Sequence, residues 1–260
     1  MGALCMEDVT IDNGDRSTSE SVLMARLPRL GVPGWPHLVV QRVHEGQLLA
    51  RDDTDRAALL GALREAARLH GLAVHAYALC PDHLHLLATP AQEDSLSLTM
   101  QALGRRYVAG YNRRHGRHGG LWSGRFRAAV LDPVQFLLPA MVFVEQHGVR
   151  AGLVHREEDE RWSSARHHLG LMTDPLIADH ALFWALGNTP FEREAAWRRR
   201  LEEGLSEAER QRLADAMHKG WALVDDAKQA ALQQLAGRPV RPRPRGRPKK
   251  TVSSAVSIDQ

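Results

Sequence analysis

The stretch LAVHAYALCPDHLHLLAT, residues 72 to 89, is two apolar runs interrupted by Cys80, Pro81 and Asp82. Proline and aspartate at such a break favour a turn, so the runs 72–79 and 83–89 are predicted to be strands. The second run carries His83 and His85, one residue apart. Side chains two apart on a strand point the same way, which sets both imidazoles on one sheet face among leucines. Two readings of such a pair stand side by side. They are sheet histidines satisfied by their neighbours, or they are half of a divalent metal site, since neutral imidazoles bind metals through a ring nitrogen.

The elements around this pair narrow the architecture. A strand is predicted at HLVVQRV, 37 to 43. The next stretch, DDTDRAALLGALREAARLHG, has Asp53 or Thr54 as an N-cap, an apolar stripe at Leu59, Leu63, Ala66 and Ala67, and Gly71 as a stop, which together specify a helix. A second helix is expected from about Ser95 to Arg114, with Leu96, Met100, Leu103, Tyr107 and Tyr111 at spacings of three and four. RFRAAVL, 125 to 131, reads as a strand, and residues 132 to 148 as a helix opening on an Asp-Pro cap. The order β-α-β-β-α-β-α predicts an α+β, ferredoxin-like (split βαβ) domain: an antiparallel sheet with two long helices on one face.

Four segments follow from the changes in character along the chain. Residues 1–23 are polar and acidic and are expected to be disordered or an extension, with Met24 as an alternative start. Residues 24–170 form the principal domain. Residues 171–236 are rich in Ala, Glu, Arg and Leu and are expected to be helical, with Ser206 and Glu209 as a capping box. Residues 237–260 are rich in proline and basic groups and form an extended tail.

At 43% hydrophobic and 25% charged residues the composition is that of a globular protein. The two cysteines, Cys5 and Cys80, are too few and too oddly spaced for a disulfide framework or a thiolate metal site, which fits a reducing cytoplasm. No apolar run approaches the roughly 20 residues of a membrane helix, so no membrane partner is expected, and the N-terminus has no secretory pattern. A net charge of +3 says little alone, but a pI of 9.1 and clustered arginines favour a polyanionic partner. Arg105, Arg106, Arg113, Arg114, Arg117, Arg125 and Arg127 form the densest basic region, with Trp122 and Phe126 beside them as stacking surfaces. This region is read as a DNA groove, against the alternative of a solvated charged face. In the tail, Arg245 and Arg247 sit in an Arg-Gly-Arg-Pro sequence suited to minor-groove entry or to nonspecific phosphate contact.

Several blocks of the chain, in order, carry a family resemblance: MARLPRLGVPGWPHLVVQR, VHAYALCPDHLHLLATP, MQALGRRYVAGYNRRHG, LWSGRFRAAVLD, VEQHGVRAGLV and RWSSARHH. Together they resemble the single-tyrosine HUH transposases of the REP-associated (RAYT) group, over residues 24 to 170 and again in the RGRPKK tail. The resemblance implies a ferredoxin-like homodimer, with a monomer left open, acting on single-stranded or hairpin DNA in the bacterial cytoplasm at the nucleoid. It implies a divalent ion, Mg²⁺ or Mn²⁺, held by His83, His85 and a polar residue of the last helix. A tyrosine on that helix would attack the scissile phosphate to form a covalent link during strand cleavage and rejoining.

The chain departs from that pattern where the chemistry is done. The family's last helix reads approximately Tyr-Ile-Glu-x-Asn-Pro-Val-Arg-Ala-Gly, whereas this chain reads FVEQHGVRAG from residue 143. Phe143 occupies the nucleophile position and has no oxygen with which to attack. Four residues on, His147 replaces the amide, one helical turn away on the same face, and a three-histidine site shifts metal preference toward Zn²⁺. The three tyrosines of the chain, Tyr77, Tyr107 and Tyr111, are expected to pack in the core. Three readings follow: a transposase impaired at Phe143, a repurposed DNA-binding protein without catalysis, and a metal-dependent endonuclease that uses water.

Overall fold

The computed structural model describes residues 29–242. The expectations for residues 1–23, for Met24 and for Arg245 and Arg247 lie outside the described residues. The elements are β1 His37–Arg42, α1 Asp53–His70, β2 Leu72–Leu79, β3 His83–Pro90, α2 Ser95–His115, β4 Arg127–Val130 and α3 Pro133–Glu145, followed by a helical turn α4 His147–Arg150. The strands form one antiparallel sheet of order β2-β3-β1-β4. This is the split-βαβ, ferredoxin-like arrangement with α1 and α2 on one face.

Local chemistry sets the boundaries. Asp52 rather than Asp53 or Thr54 caps α1, its carboxylate accepting from the Asp55 amide, and Gly71 ends the helix in the left-handed conformation at φ 65°. Expected Asp-Pro capping starts α3, where the buried Asp132 carboxylate accepts from the Val134 amide and pairs with Lys228 Nζ at 2.7 Å. The predicted helix 132–148 breaks at Gln146, and α4 resumes with His147 at its start. Gly148 follows, and a side chain there would run into the buried Glu160 carboxylate, so glycine is what allows the turn carrying His147 to pack so closely.

The sheet divides the interior. Leu84, Leu86 and Ala88 of β3 face α1 and α2, joined by Leu59, Leu63, Leu103 and the three tyrosines. Leu87 points the other way with Leu38, Val40 and Ala78 into a second core built by α3 and the C-terminal helices. Alternation along β3 puts His83 and His85 on that second face.

The C-terminal region is helical as expected: α5 Ala165–His168, α6 Ala181–Trp184, α7 Pro190–Glu203, α8 Glu207–Lys219 and α9 Asp226–Leu235, with Ser206 and Glu209 forming the capping box of α8. It also shields the sheet edges. Residues 162–164 bond along β2, through Leu79 N–H to Trp162 O at 2.9 Å and Ser164 N–H to Tyr77 O at 3.0 Å, and Leu223 bonds to Val130 O beyond β4 at 2.8 Å. Covered edges cannot pair with other chains. The start of the expected extended tail is likewise packed, because Val240 fills an apolar pocket and its carbonyl accepts from Ala222 at 3.0 Å.

One buried carboxylate ties these parts together. Glu145, the last residue of α3, has no solvent exposure and accepts from Ser164 Oγ at 2.5 Å, His168 Nδ1 at 2.5 Å and Trp197 Nε1 at 2.9 Å. Burial alone would lower the His168 pKa, but the carboxylates of Glu145 and Asp179 override it and raise it to about 9. The folded value lies above the ordinary 6.5, so the stability from this pairing is complete below pH 6.5 and is lost as pH rises through 9. In urea unfolding, the midpoint should fall between pH 6.5 and 9. Glu145→Gln should lower stability by about 3–5 kcal/mol at pH 6 and flatten that pH dependence. An unchanged slope in the variant would show that His168 owes its charge to other groups.

Candidate metal centre and nucleic-acid interface

His83, His85 and His147 converge from two elements. The ring centroids are 4.6 Å apart for His83 and His85, 4.8 Å for His83 and His147, and 4.6 Å for His85 and His147. His83 and His85 are brought there by the β3 alternation, and His147 by the turn after α3. Asp82 Oδ1 accepts from His83 Nδ1 at 2.6 Å, which leaves Nε2 as the lone-pair nitrogen, as in carboxylate–histidine–metal relays. Nε2 of His83 and Nδ1 of His85 are both buried with no hydrogen-bond partner. Buried nitrogens left without partners are costly unless a ligand engages them.

The electrostatics keep these rings neutral. Burial lowers the pKa of all three; His83, Arg150 and Arg42 lower that of His147 further, to about 4. Neutral imidazoles are the form that binds metals. The residues present therefore fit a divalent ion, which His83 and His147 would hold with His85 beside them, and which would supply charge stabilisation to a bound phosphate. Cys80, set aside in the sequence as oddly placed, also lies here: its sulfur and the donor atoms of His83 and His147 are all within 4.8 Å of one another.

Phe143 is buried beside the histidines, its ring centroid 5.8 Å from that of His85. The Arg150 guanidinium stacks on the Phe143 ring at 4.8 Å and donates to the Phe143 carbonyl at 2.6 Å. Its Nη1 is buried with no partner, and burial pulls its pKa down to about 10. None of the three tyrosines is at the site. All pack on the opposite sheet face, where Tyr77 donates to Asp174, Tyr107 to the Leu49 carbonyl and Tyr111 to the Leu48 carbonyl.

The predicted DNA-binding arginines separate into two groups. Arg105, Arg106, Arg113, Arg114 and Arg117 belong to α2 and the turn after it, in the layer on the other side of the sheet from the histidines. Arg106 pairs with Glu65, Arg114 with Asp52 and Asp55, and Arg117 bonds Asn112. Arg125 and Arg127 instead line a cleft of about 500 Å³ with Arg29, His218, Lys219 and Arg238. Strand register puts Arg127 opposite Val40 and Val40 opposite His85, so Arg127 shares the histidine face. Trp122 and Phe126 are not open stacking surfaces: Trp122 packs against the core and lies close to Gly104, and Phe126 is buried under Arg29.

Sequence reasoning missed Arg42, Arg150 and Cys80. Arg42 pairs directly across from His83 in the sheet register and bonds Asp82 at 3.1 Å. It could not be found without knowing which strand lies beside β3. The Cys-Pro-Asp-His spacing was a legible signal for Cys80, because its N–H closes the turn onto the His83 carbonyl at 2.8 Å.

Residues 35–137 match the family described as IS200-like transposases. This segment of the chain is similar to IS200-like transposases. The match covers the sheet, α1, α2 and the first residues of α3, and so includes His83 and His85. A solved structure described as a REP-associated tyrosine transposase bound to a REP hairpin is 16% identical, with a TM-score of 0.48, covering 61% of this chain and 93% of the other. A transposase-like chain from Deinococcus radiodurans R1 is 22% identical, with a TM-score of 0.31, covering 45% and 83%. No curated protein sequence matches the chain. No helix among the described residues is long and apolar enough to cross a membrane.

The tyrosines provide a direct check. Tyr77→Phe, Tyr107→Phe and Tyr111→Phe should each cost about 1 kcal/mol in urea unfolding, the typical net value of one hydrogen bond, and leave the protein's action on labelled DNA unchanged. A variant that lost a protein–DNA adduct formed by the wild type would identify a tyrosine nucleophile.

Proposed function

We propose that the protein binds single-stranded or hairpin DNA at the His83, His85 and His147 site through a divalent ion, as a RAYT-like member of the transposase family. On this reading, cleavage through a phosphotyrosine is closed to it. The observation that carries the proposal is the meeting of three neutral imidazoles at the buried ring of Phe143, with an unpartnered guanidinium nitrogen of Arg150 beside them. A phosphodiester entering the site would find positive charge from Arg42, Arg127 and Arg150 and lone-pair nitrogens for the ion. It would find no hydroxyl on residue 143.

Each chain group then has a role. Arg42 and Arg127 attract and orient the backbone, and phosphate contacts of this kind dominate affinity and its salt dependence. Arg150 holds its guanidinium desolvated on Phe143, where a charge-assisted bond to phosphate is stronger than in water. Asp82 fixes the His83 tautomer. An ion held by the histidines would supply charge neutralisation at the phosphate. Arg125 and the rest of the cleft with His218 and Lys219 extend the basic track along the strand, while Arg105, Arg106, Arg113, Arg114 and Arg117 serve a separate outer surface. The tail arginines Arg245 and Arg247 add nonspecific phosphate contacts.

A 5′- or 3′-labelled hairpin oligonucleotide with single-stranded flanks, incubated with the protein and Mn²⁺, tests this reading. Retarded mobility without an SDS-resistant band is expected. Arg42→Ala and Arg127→Ala should each reduce the slope of log affinity against log salt by about 1. Phe143→Tyr should yield a covalent protein–DNA band. A covalent band with the wild type would contradict the proposal. Free cleaved product without an adduct would assign the attack to water, and absence of binding would remove DNA as the partner.

A further inference from the structure

We propose that Cys80 is a ligand of the metal centre, so that the ion is held by a thiolate together with imidazoles. The inference rests on the metal reading above and adds a donor that the His-x-His pattern does not contain. Cys80 is a free, buried cysteine whose backbone is held in place by the turn bond from its N–H to the His83 carbonyl. Its sulfur and the donor atoms of His83 and His147 lie within 4.8 Å of one another. Donors around a tetrahedral zinc-class ion stand about 3.4 to 3.8 Å apart, from bond lengths of about 2.0 to 2.3 Å. Small side-chain rotations close that difference.

An independent observation points to the same ion. His83 is 5% exposed, and its Nδ1 is committed to Asp82 while its Nε2 has no partner. The nitrogen left over is the one available to the cluster. On binding, a sulfur–metal bond forms and the thiol proton passes to solvent, so uptake releases one proton at Cys80. A thiolate in the set favours Zn²⁺, and Co²⁺ as its spectroscopic substitute, over Mg²⁺ or Mn²⁺, whose preferred donors are oxygens. The presence of Cys80 would therefore separate this chain from a Mg²⁺-dependent strand-transfer enzyme in its choice of metal.

Cobalt absorption spectroscopy on the full chain distinguishes the outcomes. The protein is freed of metal with a chelator and titrated with Co²⁺, alongside Cys80→Ser and Cys5→Ser. Wild type and Cys5→Ser should show visible d–d bands that saturate at one equivalent, with a thiolate-to-cobalt charge-transfer band in the near ultraviolet. Cys80→Ser should keep visible bands and lose the near-ultraviolet band, with Zn²⁺ affinity lower by at least about tenfold. The wild-type spectrum needs no variant to fold, and circular dichroism of the metal-free forms checks that the variants do. Visible bands without the charge-transfer band, or a band that follows Cys5, would overturn the role of Cys80 and leave the histidine site standing. A spectrum with no cobalt bands at all would overturn the metal reading itself.

Discussion

Glu145 is a carboxylate with no exposure to water, placed on α3 two residues after Phe143 and two before His147. An unpaired charge in that position would cost several kcal/mol. It is offset by three donors from three separate places: Ser164 beside β2, His168 of α5 and Trp197 of α7. The end of α3 is thereby fixed to the sheet edge and to the C-terminal helices at once. Because His147 follows in the next turn, its distance to His83 and His85 depends on this anchor. Trp197 is itself wholly buried and packs against His168 and Phe183, so the polar anchor sits inside an apolar wall.

The sheet then assigns different work to its two faces. The α1 and α2 face holds the tyrosine hydroxyls, each bonded to an internal acceptor, and an outer surface on which Arg106 and Arg114 are paired with carboxylates. The other face brings His83, His85, Arg42 and Arg127 into register and closes over them with α3, α4 and α8. The C-terminal region contributes to this side of the molecule as well: His218 and Lys219 line a cleft together with Arg125 and Arg127.

Much of this was legible in the sequence. The Pro-Asp turn, the His-x-His alternation, Gly71 and the Ser206 and Glu209 capping box are local signals, and local signals survive folding unchanged. His147 was legible as well, because one helical turn separates it from position 143. Arg42 and Glu145 were not. Arg42 acquires its meaning from strand pairing, and nothing in the sequence around Glu145 points to its three partners 19 to 52 positions away. Arginine density on α2 pointed toward a groove, but the sheet places that helix away from the histidines. Charge along a sequence does not say which face of a sheet it will reach.

On the proposed reading, metal-ready nitrogens, phosphate-seeking guanidinium groups and a phenyl ring where a hydroxyl would be needed hold a phosphodiester rather than exchange one. That conclusion depends on an ion binding among the histidines. The most direct measurement is anomalous diffraction at the zinc edge from crystals of zinc-loaded protein. The account predicts one ordered peak between His83, His85 and His147. Crystals that take up zinc only elsewhere, with the three rings still 4.6 to 4.8 Å apart, would contradict it.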